Sequence, residues 1–208
     1  MITIACVKSK PYYNRHDVHK LWDMVERNIT IPHRFVCWTD DSQGLRCKTK
    51  KLPAGLEGWW AKLAMFKEGS MDGKVLYLDL DTLVVDSLDF VGNYSGDFAI
   101  LRDFYRPEGY GSGVMLWNKL PTHIWKQWSK LQTFHPDGDQ GIIEQYVENA
   151  DRLQDVYPDK FLSYKVHCDK GIPKGCAVVC FHGYPKPEDF DPEHWVQQIW
   201  NGQKALAA

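Results

Sequence analysis

The sequence predicts an α/β fold, with a mainly parallel central sheet flanked by helices. Apolar strand-like runs alternate with amphipathic segments across the first half of the chain, the pattern of a sheet covered on both faces. The 208 residues, 25% charged and 44% hydrophobic, fit one ordinary globular domain. A strongly apolar run, Val75-Leu76-Tyr77-Leu78, ends in carboxylates, as a buried strand does when it emerges at a ligand-binding edge. The domain is expected over residues 1–200, with 201–208 as a frayed tail.

Element by element, Ile2–Val7 reads as the first buried strand, bounded by Lys8-Ser9-Lys10-Pro11. Val18, Leu21, Trp22 and Val25 recur at i, i+3, i+4 and i+7, so 17–27 is expected to be a helix with Asp17 at its cap. Arg34–Trp38 follows as a strand and Asp40-Asp41-Ser42-Gln43-Gly44 as a turn. Trp60, Leu63 and Ala64 put a helix over Trp59–Lys67, and the apolar strand comes next, over Lys74–Asp79. Asp97–Leu101 and Gly113–Trp117 are strand candidates, and Pro121 is placed to open a helix carrying Ile124, Trp125, Trp128 and Leu131. A further helix is expected over Asp139–Val147, a late strand over Ala177–Phe181, and a last helix opened by Asp191-Pro192 and closed near Gly202.

Composition narrows the function. A formal charge of −2 offers no global basic field, so no nucleic-acid partner is expected. No apolar stretch approaches the roughly 20 residues of a membrane span. Met1 leads directly into a strand-like run with no basic or long apolar leader, so a cytoplasmic protein is expected. Cys168, Cys176 and Cys180 match no common zinc spacing, and the six cysteines read as reduced thiols, a Cys37–Cys47 bridge being the alternative. Aromatic residues reach 13%, a mild pointer to a sugar or nucleotide partner beside core packing.

The sharpest feature is Asp79-Leu80-Asp81, with apolar residues on both sides. On extended backbone the two carboxylates would share a side and repel, unless a cation joins them. Carboxylates with phosphate oxygens are the usual environment of a bound divalent ion. A solvated turn is the plainer alternative. Two families place such a pair after an apolar strand. Asp79-Leu80-Asp81-Thr82-Leu83 is similar to the haloacid-dehalogenase-like phosphatases, in which Asp79 would be the nucleophile and Asp81 the acid/base; the glycine of their pattern is missing here.

The remaining motifs decide between them. Gly58-Trp59-Trp60-Ala61-Lys62-Leu63 precedes the pair. Gly111-Ser112-Gly113-Val114-Met115, Asp137-Gly138-Asp139-Gln140-Gly141 and Phe181-His182-Gly183-Tyr184-Pro185-Lys186-Pro187 follow it. This ordered set resembles glycosyltransferase family 8, the glycogenin- and galactosyltransferase-like enzymes of GT-A fold. The resemblance covers about residues 1–190. Gly111 replaces the usual Asn or Asp, and the last motif is compressed.

The resemblance implies a metal-dependent transferase that moves a sugar from a nucleotide-diphosphate sugar, UDP-linked in most members, to an acceptor. Whether that acceptor is a saccharide, a lipid-linked group or a protein stays open. Asp79, Asp81 and His182 would ligate Mn²⁺ or Mg²⁺. Lys186 would meet a phosphate, and Lys62 would contact the donor. Asp139 would bind sugar hydroxyls, with Gln140 on the reacting face. Ser112, Gly113, Leu80 and Gly183 would line the donor. By position after the first two strands, Val7, Lys8, Tyr12 and Tyr13, then Thr39 and Asp40, would surround the nucleoside. From residue type alone, His182 also fits a satisfied core histidine, Asp139 a helix cap and Lys62 a solvent-facing lysine. Retention is the expected outcome; an inverting reaction would need a base, for which Asp103 is the candidate.

Overall fold

The computed structural model describes residues 1–203; the tail expected over the last residues falls mostly outside this range. Strand β1 is Ile2–Lys8, buried at every position. Helix α1 is Arg15–Arg27. Its cap is Asn14, not Asp17: the Asn14 side chain accepts from the His16 N–H at 2.7 Å. Asp17 reaches back to the Asn14 N–H at 2.8 Å, completing a capping box. Strands β2 (His33–Thr39) and β3 (Lys48–Lys51) follow. The lysine-rich β3 has no apolar pattern and was not anticipated; it is an edge strand, where charge discourages further pairing.

The segment expected as an α-helix near residue 60 is a 3-10 helix, Gly58–Phe66. Ala61 through Phe66 are all buried, so it lacks the one solvent face of an amphipathic α-helix. Strand β4 (Val75–Leu78) and short strand β5 (Leu83–Val84) come next. After them lie β6 (Phe98–Arg102), β7 (Tyr110–Trp117), α2 (Thr122–Leu131) and α3 (Gly138–Tyr146). Pro121 sits one residue before α2 rather than inside its first turn. The chain closes with β8 (Asp151–Arg152), α4 (Leu153–Val156), β9 (Phe161–Ser163), β10 (Val178–Cys180) and α5 (Trp195–Trp200). The start of α5 is capped by the His194 ring accepting from Val196 N–H at 3.2 Å, three residues beyond the expected Asp191-Pro192 opening.

The main sheet has the order β3-β2-β1-β4-β7-β6-β8. Pairs β2–β3, β1–β2, β1–β4 and β6–β8 are parallel, while β4–β7 and β6–β7 are antiparallel. A second sheet, β5-β10-β9, holds the expected late strand as β10; its partners β5 and β9, of two and three residues, were not foreseen. Alternate residues of β1 feed opposite cores: Ile4 and Cys6 face α1 and the second sheet, and Ala5 and Val7 face the 3-10 helix and α2. That division confirms a sheet covered on both faces. Full burial of each large apolar side chain is worth roughly 1.5–3 kcal/mol, so both cores hold the strand ends rigidly. All six cysteines are free thiols, and the Cys37–Cys47 bridge is absent. No helix among the described residues is long and apolar enough to cross a membrane.

Candidate active site

The ends of β1, β2, β4 and β6 and the start of antiparallel β7 lie along one edge of the main sheet. Asp79 leaves β4 there, its N–H bonded to Gly113 O at 2.9 Å. The chain then turns, Thr82 N–H bonding back to Asp79 O at 3.2 Å, and enters β5 of the second sheet. The carboxylate pair therefore sits on the crossover between the two sheets, not on extended backbone as expected. The turn sends the two carboxylates to different partners, and Leu80 between them packs into the core, 1% exposed. Its side chain is thus not part of a donor surface.

Lys62 is the centre of the first half of the site. Its ammonium is buried, 3.0 Å from Asp79 Oδ1 and 3.0 Å from Asp139 Oδ2. It also donates to Ser112 Oγ at 3.1 Å and Ser112 O at 3.3 Å. Ser112 Oγ in turn donates to Asp139 Oδ2 at 2.7 Å, and the Tyr77 hydroxyl donates to Asp79 Oδ1. Burial works against the charge of Lys62, but Asp139 and Asp79 outweigh it and hold the ammonium above its ordinary value. For Asp79, burial exceeds the opposing pull of Lys62, and Asp81 adds to the rise, pushing the carboxyl up to about 6. The solvent-facing alternative for Lys62 is excluded by this geometry. Asp139 is the second residue of α3 and makes no cap; Asp137 holds that position. Gly113 lies against the cluster: a Cβ there would meet Asp79 Oδ2 at 3.4 Å, an ordinary contact.

The second half gathers around Asp81, which is buried and paired with the Lys186 ammonium. The half-buried Tyr13 phenol lies beside this carboxylate; burial first, then the charges of Asp81 and Asp79, push its pKa far upward. His182 follows β10 and packs against Phe104 and Tyr105, with ring centroids 5.1 and 6.3 Å apart. Its Nε2 is buried without a hydrogen-bond partner, so the reading as a satisfied core histidine does not hold. Burial lowers its pKa, against the opposing charges of Asp81 and Asp103. Among the described residues no three His, Cys, Asp or Glu side chains converge as a metal cluster; lysines occupy both carboxylates instead. Two carboxylates and an unpartnered imidazole nitrogen are donor types that a divalent ion takes.

Gln140 does not join the Lys62 network. Its amide donates to Asp103 Oδ2 at 3.2 Å. Asp103 also accepts from the Tyr105 and Arg106 N–H groups at 2.8 and 3.0 Å and pairs with Arg106 at 3.4 Å. Its partial burial favours the neutral form, but those bonds prevail and hold it below the ordinary carboxylate range. At the other end, Lys8 lies 3.7 Å from Asp40, and Asp40 accepts from the Lys10 N–H at 3.2 Å. Thr39 Oγ1 donates to Asp41 O at 2.9 Å. Val7 is packed in the core, while the exposed Tyr12 ring stacks on Trp59 at 6.1 Å and 14°. Gly183 turns the chain after His182 with φ +60°, in the region glycine favours.

Sequence reasoning missed Tyr77 and the Arg106–Glu144 pair, 3.1 Å apart. For Tyr77 a signal existed: a hydroxyl-bearing residue in an otherwise aliphatic strand, two positions before Asp79 and therefore on its side.

Two sheets joined at a carboxylate-bearing crossover, with site residues at one sheet edge, define the fold as that of the GT-A glycosyltransferases. Solved structures with this fold include the glycosyltransferase GlyE of Streptococcus pneumoniae TIGR4, with a TM-score of 0.67 and 14% identity over 95% of this chain. The galactosyltransferase LgtC, crystallised with donor and acceptor sugar analogues, has a TM-score of 0.65 and 15% identity over 99% of this chain. The bifunctional glycosyltransferase WbbM has a TM-score of 0.64 and 11% identity over 97% of it. The chain spans 58% of GlyE and 51% of WbbM but 97% of LgtC. No protein-family model and no curated protein sequence matches the chain.

Proposed function

We propose that this chain is a metal-dependent glycosyltransferase of the family 8 type. It would take a sugar from a nucleotide-diphosphate sugar, UDP-linked by preference, as a single domain working in the cytoplasm. The observation that carries the reading is the buried Asp79–Lys62–Asp139–Ser112 network at the sheet edge of a glycosyltransferase fold. Such a network is a preorganised set of charges and donors, the arrangement that stabilises charge developing in a transition state.

Asp79, Asp81 and the His182 Nε2 would hold Mn²⁺ or Mg²⁺, which when bound neutralises charge on the departing diphosphate. Lys186 adds a second positive charge beside that leaving group. Lys62 fixes Asp139 so that its free oxygen is presented to the hydroxyls of the transferred sugar. Asp103 keeps the Gln140 amide turned by accepting its N–H, leaving the Gln140 carbonyl oxygen for the reacting face. Because Asp103 is ionised but committed to three other donors, it is poorly placed to act as the base of an inverting reaction, which favours retention. On the nucleoside side, Asp40 and Lys8 stand at the ribose end and Tyr12 presents a ring for the base.

A phosphohydrolase using Asp79 as nucleophile is not favoured. The glycine of the phosphohydrolase pattern is missing, since Thr82 directly follows Asp81. That reading also gives Asp139 and His182 no task.

Calorimetric titration of UDP with and without Mn²⁺, repeated on Asp81→Ala, tests the proposal. Binding that requires Mn²⁺ and is lost in the variant is expected. Equal binding by both proteins in the absence of metal would overturn the assigned roles.

A further inference from the structure

We infer that Lys186 is a built-in counter-ion of Asp81, displaced by a divalent cation and taken up by a bound diphosphate, which makes metal and nucleotide bind cooperatively. The inference rests on the sugar-transfer reading above and deepens it.

Three features of the site support the exchange. First, Lys186 reaches Asp81 across 105 positions of sequence, and the pair is unequal: the Asp81 side chain is 8% exposed and that of Lys186 27%. The carboxylate is fixed and the ammonium lies nearer solvent. Second, the lysine backbone is anchored independently of its ammonium. Its N–H donates to Asp189 at 2.7 Å, and Pro187 O next to it accepts from Gln197 at 3.0 Å. Only the four-carbon stem must move, and a lysine stem is flexible. Third, His182 stands four residues earlier on the same segment, with Nε2 buried and unpartnered.

Lys62 provides the contrast. Its side chain is 6% exposed and meets Asp79, Asp139 and both oxygens of Ser112. Its ammonium has no route out without leaving two buried carboxylates bare, so it stays.

An ammonium and a divalent ion compete for the same Asp81 oxygens, and at short range in a poorly screened site neither shares them cheaply. Metal entry alone therefore separates Lys186 from its partner. A diphosphate beside the metal gives that ammonium new oxygens, so each ligand lowers the cost of admitting the other. Linkage makes the effect reciprocal, and such couplings commonly reach roughly 5–150-fold. Lys186 is on this view a competitor of the metal for Asp81 as well as a phosphate ligand.

The test is calorimetric titration of Mn²⁺ into the full chain, alone and with saturating UDP, for wild type, Lys186→Met and Lys186→Arg. In wild type, UDP is expected to tighten Mn²⁺ binding by at least about tenfold. In Lys186→Met, Mn²⁺ alone should bind about tenfold more tightly than to wild type, and the gain from UDP should shrink several-fold. Lys186→Arg retains a cation at Asp81 and should keep the wild-type pattern, which also guards against misreading a fold defect. If Lys186→Met binds Mn²⁺ alone no more tightly than wild type while the UDP effect persists, the exchange is overturned and the transferase reading stands. If Lys186→Arg binds Mn²⁺ alone as tightly as Lys186→Met is expected to, the exchange is likewise overturned. If wild type binds neither Mn²⁺ nor UDP, both fall.

Discussion

Replacing Lys62 by Met is expected to destabilise the protein by about 3–5 kcal/mol, the usual result of removing one partner from a buried ion pair. The ammonium is 6% exposed and stands 3.0 Å from each of two carboxylates. The methionine fills a similar volume, so the loss is electrostatic: Asp79 and Asp139 remain buried and face each other without a cation. For a domain of this size a kilocalorie corresponds to roughly 2–4 °C in melting temperature, so a fall of roughly 6–20 °C is expected. Urea unfolding of the two proteins at pH 7 measures it directly. A difference under about 1 kcal/mol would mean that water or a rearrangement solvates the carboxylates and that the cluster is not the rigid unit described above.

The second large effect concerns chemistry rather than stability. Asp139→Asn keeps the shape of the side chain and an oxygen for the Ser112 hydroxyl, and it leaves Lys62 paired with Asp79. UDP and Mn²⁺ affinity should therefore stay within about threefold of wild type. Sugar transfer should fall by about 10²–10³-fold, the range seen when one preorganised electrostatic group is removed from a transition state. A variant that turns over within threefold of wild type would place Asp139 outside the reaction and reduce it to a partner for Lys62.

Much of this arrangement was legible in the sequence, for identifiable reasons. Val75–Leu78 announced a central strand because it is apolar at every position, and its end placed Asp79 at the sheet edge. The alternation of Ile4 and Cys6 with Ala5 and Val7 serves two cores, which is why the run carried no polar face. What stayed hidden depended on long-range pairing. The lysine-rich β3 and the two- or three-residue strands β5, β8 and β9 have no periodicity of their own and exist because neighbouring strands accept their hydrogen bonds. A turn at Leu80-Asp81 was legible only as a solvated one; that it is a buried crossover follows from the chain leaving one sheet for another. Lys62 was singled out by position, but its burial between two aspartates is a product of the 3-10 geometry that no apolar spacing foretells. Gln140 was expected on the reacting face, and its link to Asp103 could not be read because 37 residues separate them.

The most direct test of sugar transfer is to incubate the full chain with a panel of UDP-sugars and Mn²⁺ and to follow release of UDP, with and without EDTA. Release from at least one donor is expected, abolished by EDTA and strongly reduced in Asp139→Asn. No release from any nucleotide sugar, together with hydrolysis of a simple phosphate ester that requires Asp79, would contradict the transferase reading and favour the phosphohydrolase.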